Sequence, residues 1–374
     1  MWLFLLLTAC EPAVKDTAAP ADTGADTGAD TGADGDHTVV IATVAGDFSA
    51  GQLATVSADG TVTDAIFPTT TDPVVEVDGD RVILLDRSSE NTVRVYDPAD
   101  WSAPLVELST GDGSNPQDAA FCGDVLVVST YAGTSLGLYD GATGLSRGAL
   151  DLSPYADADG VPEADAIVRG ADGHLYVSLN KLDTSALPWT SADGSGTIVR
   201  VDCDTVTITE DWTVGPNPSI SPHPADPNTI LVRTGDYYND DYSVKLDGAL
   251  QTFDPVAGTV SEPLLTEAAF GYNLGSLAGN RGGHAMLVAD DAYSWTVFCL
   301  DLTTFEATPT TAVDSFIGDA VTAPDGTAWI AYRQGYAGSG APVIAGLVAW
   351  NPETCTSGDP VSTLFPPYSL AIVP

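Results

Sequence analysis

Positive charge is what this chain lacks most. Its 374 residues hold 12 Lys and Arg against 52 Asp and Glu, a formal net charge of −40. Such a surface repels phosphate backbones, which excludes nucleic acid as a partner. Long apolar runs are missing too: beyond residue 9 no stretch reaches the roughly 18 apolar residues a membrane-spanning helix needs. The four histidines, His37, His174, His223 and His284, sit in no metal-ligand spacing and in no nucleophile elbow, so the common hydrolase and metalloenzyme signatures are missing. The five cysteines contain no CxxC pair, which argues against a zinc site. No sustained 3.6-residue apolar stripe runs anywhere, which argues against a helical protein.

What is present begins with a short apolar stub, Met1 to Leu7, too short to span a bilayer and of the kind found in secretion signals. Leu7-Thr8-Ala9-Cys10 resembles the bacterial lipobox. That resemblance implies cleavage after residue 9, a diacylated Cys10 and anchorage of the mature chain in a lipid bilayer. Glu11 stands where some lipoproteins carry an inner-membrane retention aspartate, so the expected location is the bacterial cell envelope, at the outer membrane. Residues 10–36 then form a tether of Ala-Asp-Thr-Gly repeats with almost no large apolar side chain. Such a segment cannot offset its ordering entropy by burial and is expected to be disordered, with a reach of roughly 25–30 Å. Four cysteines remain, Cys122, Cys203, Cys299 and Cys355. In an exported chain they allow two disulfides in any of three connectivities.

From residue 37 to 374 the texture is short Val/Ile/Leu/Tyr runs broken by Gly, Asp, Asn and Pro, which reads as all-β. One arrangement recurs seven times: a strand, an Asp or Asn turn, and a second strand. The turn residues are Asp59, Asp97, Asp140, Asp202, Asp254, Asp301 and Asn351. Asp and Asn suit such positions because their side chains cap the turn. A further strand pair precedes each hairpin from the second onward, as in "DAAFCGDVLVVST" (118–130) and "DAIVRGADGHLYVSL" (165–179). The unit is therefore a four-stranded antiparallel blade of roughly 40–50 residues, the repeat of a β-propeller. The first unit has only three strands, and the chain finishes with a lone "YSLAIVP" (368–374). Docking that segment into the first blade predicts a closed ring of seven blades with no open sheet edge.

"LYVSLNK" (175–181) and "VLVVSTYAG" (125–133), with "YDPA" and "YDGATG" after the third strands, resemble the YVTN-type seven-bladed propellers. "DLSPYADADGVPEADAIV" (151–168) is similar to a segment of propeller-bearing lipoproteins of myxobacteria and their relatives. The resemblance implies the fold and an envelope location, and it implies no activity.

Propellers bind ligands on the face where the second-to-third strand loops and the blade-to-blade loops gather. Here those loops are long and carry aromatics, acids and amides. The candidate ligand face comprises Asn180, Lys181, Trp189, Asp236, Tyr237, Tyr238, Tyr293, Trp295, Arg333 and Tyr336, a mixture suited to a glycan or protein partner. Asp157, Asp159, Glu163 and Asp165 surround a glycine turn and offer hard oxygen ligands of the kind calcium takes, so calcium is the one cofactor expected. The sequence thus points to a monomeric, non-catalytic binding or scaffolding module. Two alternatives are a calcium-dependent lactonase-like hydrolase with its metal in the central channel and a self-associating surface-layer-like component.

Overall fold

The structure, a computed structural model, describes residues 37–374 apart from 186, 192, 292–294, 314 and 336–344. Cys10, Tyr293 and Tyr336 lie outside the described residues. Seven antiparallel sheets follow one another along the chain and close into a ring. Blade one takes its inner strand from the C-terminus: Pro367–Val373 pairs with Thr38–Val44, followed outward by Gly51–Ser57 and Val62–Thr69. Blades two to seven open with inner strands Pro73–Asp78, Pro116–Cys122, Ala164–Arg169, Ser219–Pro222, Asn273–Arg281 and Ser315–Thr322. The seven-bladed ring and its closure by the last strand are as the repeat predicts.

Burial explains why the second strands read as unbroken apolar runs. Val125–Thr130 and Leu175–Leu179 are buried at every position, because a neighbouring blade covers each of their faces. The outer strand Ser146–Asp151 is exposed almost throughout. The buried apolar side chains fall into seven clusters, one between each pair of adjacent blades. Strand alternation feeds two clusters at once: Val39 and Ile41 pack toward blade seven, Val40 and Ala42 toward blade two.

The turn residues act as their chemistry predicts. Asp140, Asp202, Asp254 and Asp301 each accept, at one carboxylate oxygen, the backbone N–H groups two and three residues ahead. Asn351 repeats the pattern with its amide oxygen. The cysteines pair as Cys122–Cys203 and Cys299–Cys355, which decides among the three connectivities. Each bridge joins adjacent blades, three to four and six to seven.

Candidate functional site

A cavity of about 410 Å³ opens at one mouth of the central channel, over blades two to six. Blade four carries an extra hairpin, Leu182–Asp183 against Thr190–Ser191, inserted between its second and third strands. That hairpin brings Leu187, Pro188 and Trp189 over the cavity. Blade five supplies the facing wall through the loop that follows Ile230–Thr234, with Tyr237, Tyr238 and Tyr242. Asp236 clamps the two together. Buried at 1% exposure, its carboxylate accepts the Ser191 N–H at 3.0 Å and the Lys245 ammonium at 2.6 Å. Ser191 Oγ in turn accepts the N–H of Asn217, which also lines the cavity.

The aromatic rings form two groups. Tyr131 and Trp189 lie 6.4 Å apart at 30°, while Tyr238 sits 6.4 Å from Tyr237 and 6.2 Å from Tyr242. Burial, with Asp165 nearby, pushes the Tyr131 phenol well above its ordinary range, so it stays a neutral hydrogen-bonding group. Amides converge beneath the rings. Asn180 is 5% exposed and donates to Asp165; Asn273 is 2% exposed and donates to the Tyr237 carbonyl at 3.2 Å. The amide oxygens of both have no hydrogen-bond partner among the described residues.

Two guanidiniums reach the cavity. Arg87 donates to Gln117 at 2.8 Å and to Asp72 at 2.5 Å. Arg233 donates to the Tyr237 hydroxyl at 3.1 Å and to the Leu274 carbonyl at 2.6 Å. Glu267 also lines the cavity, but both of its oxygens accept backbone N–H groups, from Gly248 and Leu274 at 2.8 Å. Burial lifts its pKa to about 7 even against those two bonds.

Of the residues expected on the ligand face, Asn180, Trp189, Tyr237 and Tyr238 come together here. The others have different work. Lys181 pairs with Asp193 at 3.1 Å, and Asp236 is the clamp just described. Trp295 packs edge-on to Phe316 beside the blade six–seven core. Arg333 is 4% exposed and stacks on Phe48, Phe316 and Tyr368.

Of the four acids expected to take calcium, Asp157, Asp159 and Glu163 stay near one another and Asp165 turns away. Asp157 accepts the Asp159 N–H; Asp159 holds the N–H and hydroxyl of Thr184; Glu163 accepts the N–H of Leu182. Asp165 turns instead to the cavity, where Asn180 donates to it. Burial, then repulsion from Asp159, raises Glu163 to about 9. Among the described residues no three Asp, Glu, His or Cys side chains converge as a metal-holding group, and this includes the channel acids Glu76, Asp118 and Asp319. Two of the histidines serve turns: His174 Nδ1 accepts the Cys203 N–H and His223 Nδ1 those of Ala225 and Asp226.

Arg87, Tyr131, Asn217, Arg233, Glu267 and Asn273 complete the cavity and were not expected from the sequence. One signal could have found Arg233. In "TILVRTG" it is a charge that directly follows the buried apolar run Ile230, Leu231 and Val232 within one strand. A cation in that position needs a reason.

No protein-family model matches the chain, and no curated protein sequence matches it. Its fold does match solved structures. A protein provisionally named as a 6-phosphogluconolactonase from Bacteroides fragilis superimposes with a TM-score of 0.60 at 14% identity, over 91% of this chain and 99% of that one. A protein from Lactobacillus plantarum gives 0.61 at 11% identity, over 91% and 100%. Hydrazine synthase of Kuenenia stuttgartiensis gives 0.52 at 14%, over 79% and 92%. Fold and neighbours together define the class: a seven-bladed β-propeller. At these identities the likeness concerns the fold alone.

Proposed function

We propose that this protein is an exported, lipid-anchored propeller that holds a carbohydrate ligand at its channel mouth without transforming it. The observation that carries the reading is the pairing of aromatic walls with convergent amides in a cavity sized for one or two sugar rings. A sugar presents an apolar C–H face, which packs on an aromatic ring, and an edge of hydroxyls, which amides and guanidiniums bind. Binding is favoured over hydrolysis because the cavity's carboxylates are already engaged, Asp165 by Asn180 and Glu267 by two backbone N–H groups. Cys10 and the polar tether support the anchor, and they would hold the pocket clear of the bilayer surface. Calcium on the Asp157–Asp159 loop is a separable expectation, and a calcium-dependent rise in melting temperature abolished by Asp157→Ala would support it.

The test is titration of neutral methyl glycosides and short oligosaccharides, followed by tryptophan fluorescence and calorimetry. Trp189→Ala should weaken binding at least tenfold while leaving the melting temperature nearly unchanged. Equal binding by the variant, or turnover of a lactone at this mouth, would defeat the reading. Concentration-dependent assembly in sedimentation would favour the surface-layer alternative.

A further inference from the structure

Among the described Lys and Arg residues, all but Arg233 and Arg333 form an ion pair with Asp or Glu. This is what a chain with 52 acids and 12 basic residues should do, since every cation has carboxylates within reach. Arg333 is enclosed by three aromatic rings. Arg233 is different, because it lines the cavity. Its bonds to the Tyr237 hydroxyl and the Leu274 carbonyl fix one Nη, and both acceptors are uncharged. No described acceptor meets its remaining N–H groups, and the residue lines the cavity. The carboxylate of Glu267 shares the cavity, yet it is turned to backbone N–H groups.

From this geometry we infer that the carbohydrate held here is an acidic one, a uronate-type sugar whose single carboxylate is bound by the remaining N–H groups of the Arg233 guanidinium. The inference rests on the carbohydrate reading above. Planar N–H forks pair with carboxylates through two parallel charge-assisted bonds, which fixes the ring's orientation as well as adding affinity. Asn180 and Asn273 line the same cavity and brace its floor through their amide donors, to Asp165 and to the Tyr237 carbonyl. In a chain of net charge −40 a monoanion is a better guest than a dianion. A phosphate ester would bring a second negative charge toward a field that repels it.

The experiment compares methyl β-D-glucuronide with methyl β-D-glucoside, which differ only in carboxylate against hydroxymethyl. Wild-type protein should bind the glucuronide at least tenfold more tightly, with the preference shrinking as salt rises. Arg233→Gln should bring the two affinities within about twofold of each other, by weakening glucuronide binding far more than glucoside binding. Because Arg233 also bonds blade six, Arg233→Lys is the second variant. It keeps the charge and loses the fork, and should retain only part of the preference. Equal wild-type affinities would overturn the acidic-sugar inference and leave the carbohydrate reading standing. Failure of both glycosides would remove the carbohydrate reading itself. Tighter binding of glucose 6-phosphate than of glucuronide would also overturn the inference, making Arg233 a phosphate site.

Discussion

At the scale of single residues, the unusual feature is the number of acids held against their ordinary behaviour. Burial lifts Asp319 to about 6, Asp118 to about 7 and Glu267 to about 7; burial with repulsion from Asp159 takes Glu163 to about 9. Glu76, in the channel wall, is raised well above its usual value by burial and by Asp118 and Asp319. A raised acid binds more protons in the native than in the unfolded state, so stability falls as pH rises from about 4 through the folded pKa. Lowered acids oppose this only in stronger acid. Against its burial, Asp72 is held down by Arg87, Ser88 and Tyr368, a contribution lost as pH drops below the ordinary aspartate range. The melting temperature should therefore peak at about pH 4 and decline steadily to about pH 9. Glu163→Gln should raise the melting temperature at pH 8.5 and change it little at pH 4.5, measured by calorimetry; a pH-independent effect would show that packing, and not charge, sets that site. The four clustered acids drew notice because they are adjacent in sequence. Arg233 and Asn273, separated by forty residues, become neighbours only through ring geometry, and this is why most of the cavity floor was not legible.

At the scale of elements, the blade pattern was legible because it repeats, and its soft motif has a mechanical cause. The pairing of inner and second strands slips at a bulge in blades three and four, between Pro116 and Ala119 and between Ala164 and Ile167. A bulge leaves backbone N–H groups without ladder partners. In "VLVVST" and "LYVSL" the second-strand serines meet this need: Ser129 Oγ accepts the Asp118 N–H at 3.0 Å and Ser178 Oγ that of Ala166 at 3.1 Å. Other inner-strand N–H groups are taken up by the preceding blade. Asp78 accepts from Phe121, Asp118 from Ile167 and Asp319 from Leu370, so carboxylates in the channel wall stitch neighbouring inner strands together. The polar residue within an otherwise apolar second strand is thus a bulge cap. Ser129→Ala removes a fully buried cap and orphans an N–H, at a cost of about 1–3 kcal/mol. Ser129→Thr keeps the hydroxyl and should recover most of that loss in a denaturant titration. Equal loss in both variants would mean that the site is limited by volume rather than by the hydrogen bond.

At the scale of the molecule, seven separate cores lie between seven blades, and no blade buries its own apolar face alone. Stability then depends on the ring staying shut. The two disulfides reinforce neighbouring pairs and close loops of 81 and 56 residues, but neither spans the junction between the chain's ends. That junction is held by Pro367–Val373 against Thr38–Val44, with Leu370 only 2% exposed in the core shared with blade seven. Ser369 and Leu370 extend the seal on both sides, Ser369 Oγ accepting the Val75 N–H of blade two and the Leu370 N–H reaching Asp319 of blade seven. Leu370→Ala should cost about 2–5 kcal/mol, the usual price of a truncated core leucine. Leu364→Ala, at a position 62% exposed just before the closing strand, should cost almost nothing. Deleting residues 367–374 should go further. It strips the inner strand from blade one, exposes a long unpaired edge and opens two of the seven cores. Thermal unfolding would then lose its single cooperative step and the protein would self-associate. A deletion variant that melts cooperatively at the wild-type temperature would mean that three-stranded blade one is sufficient, and that the last strand decorates the ring instead of closing it.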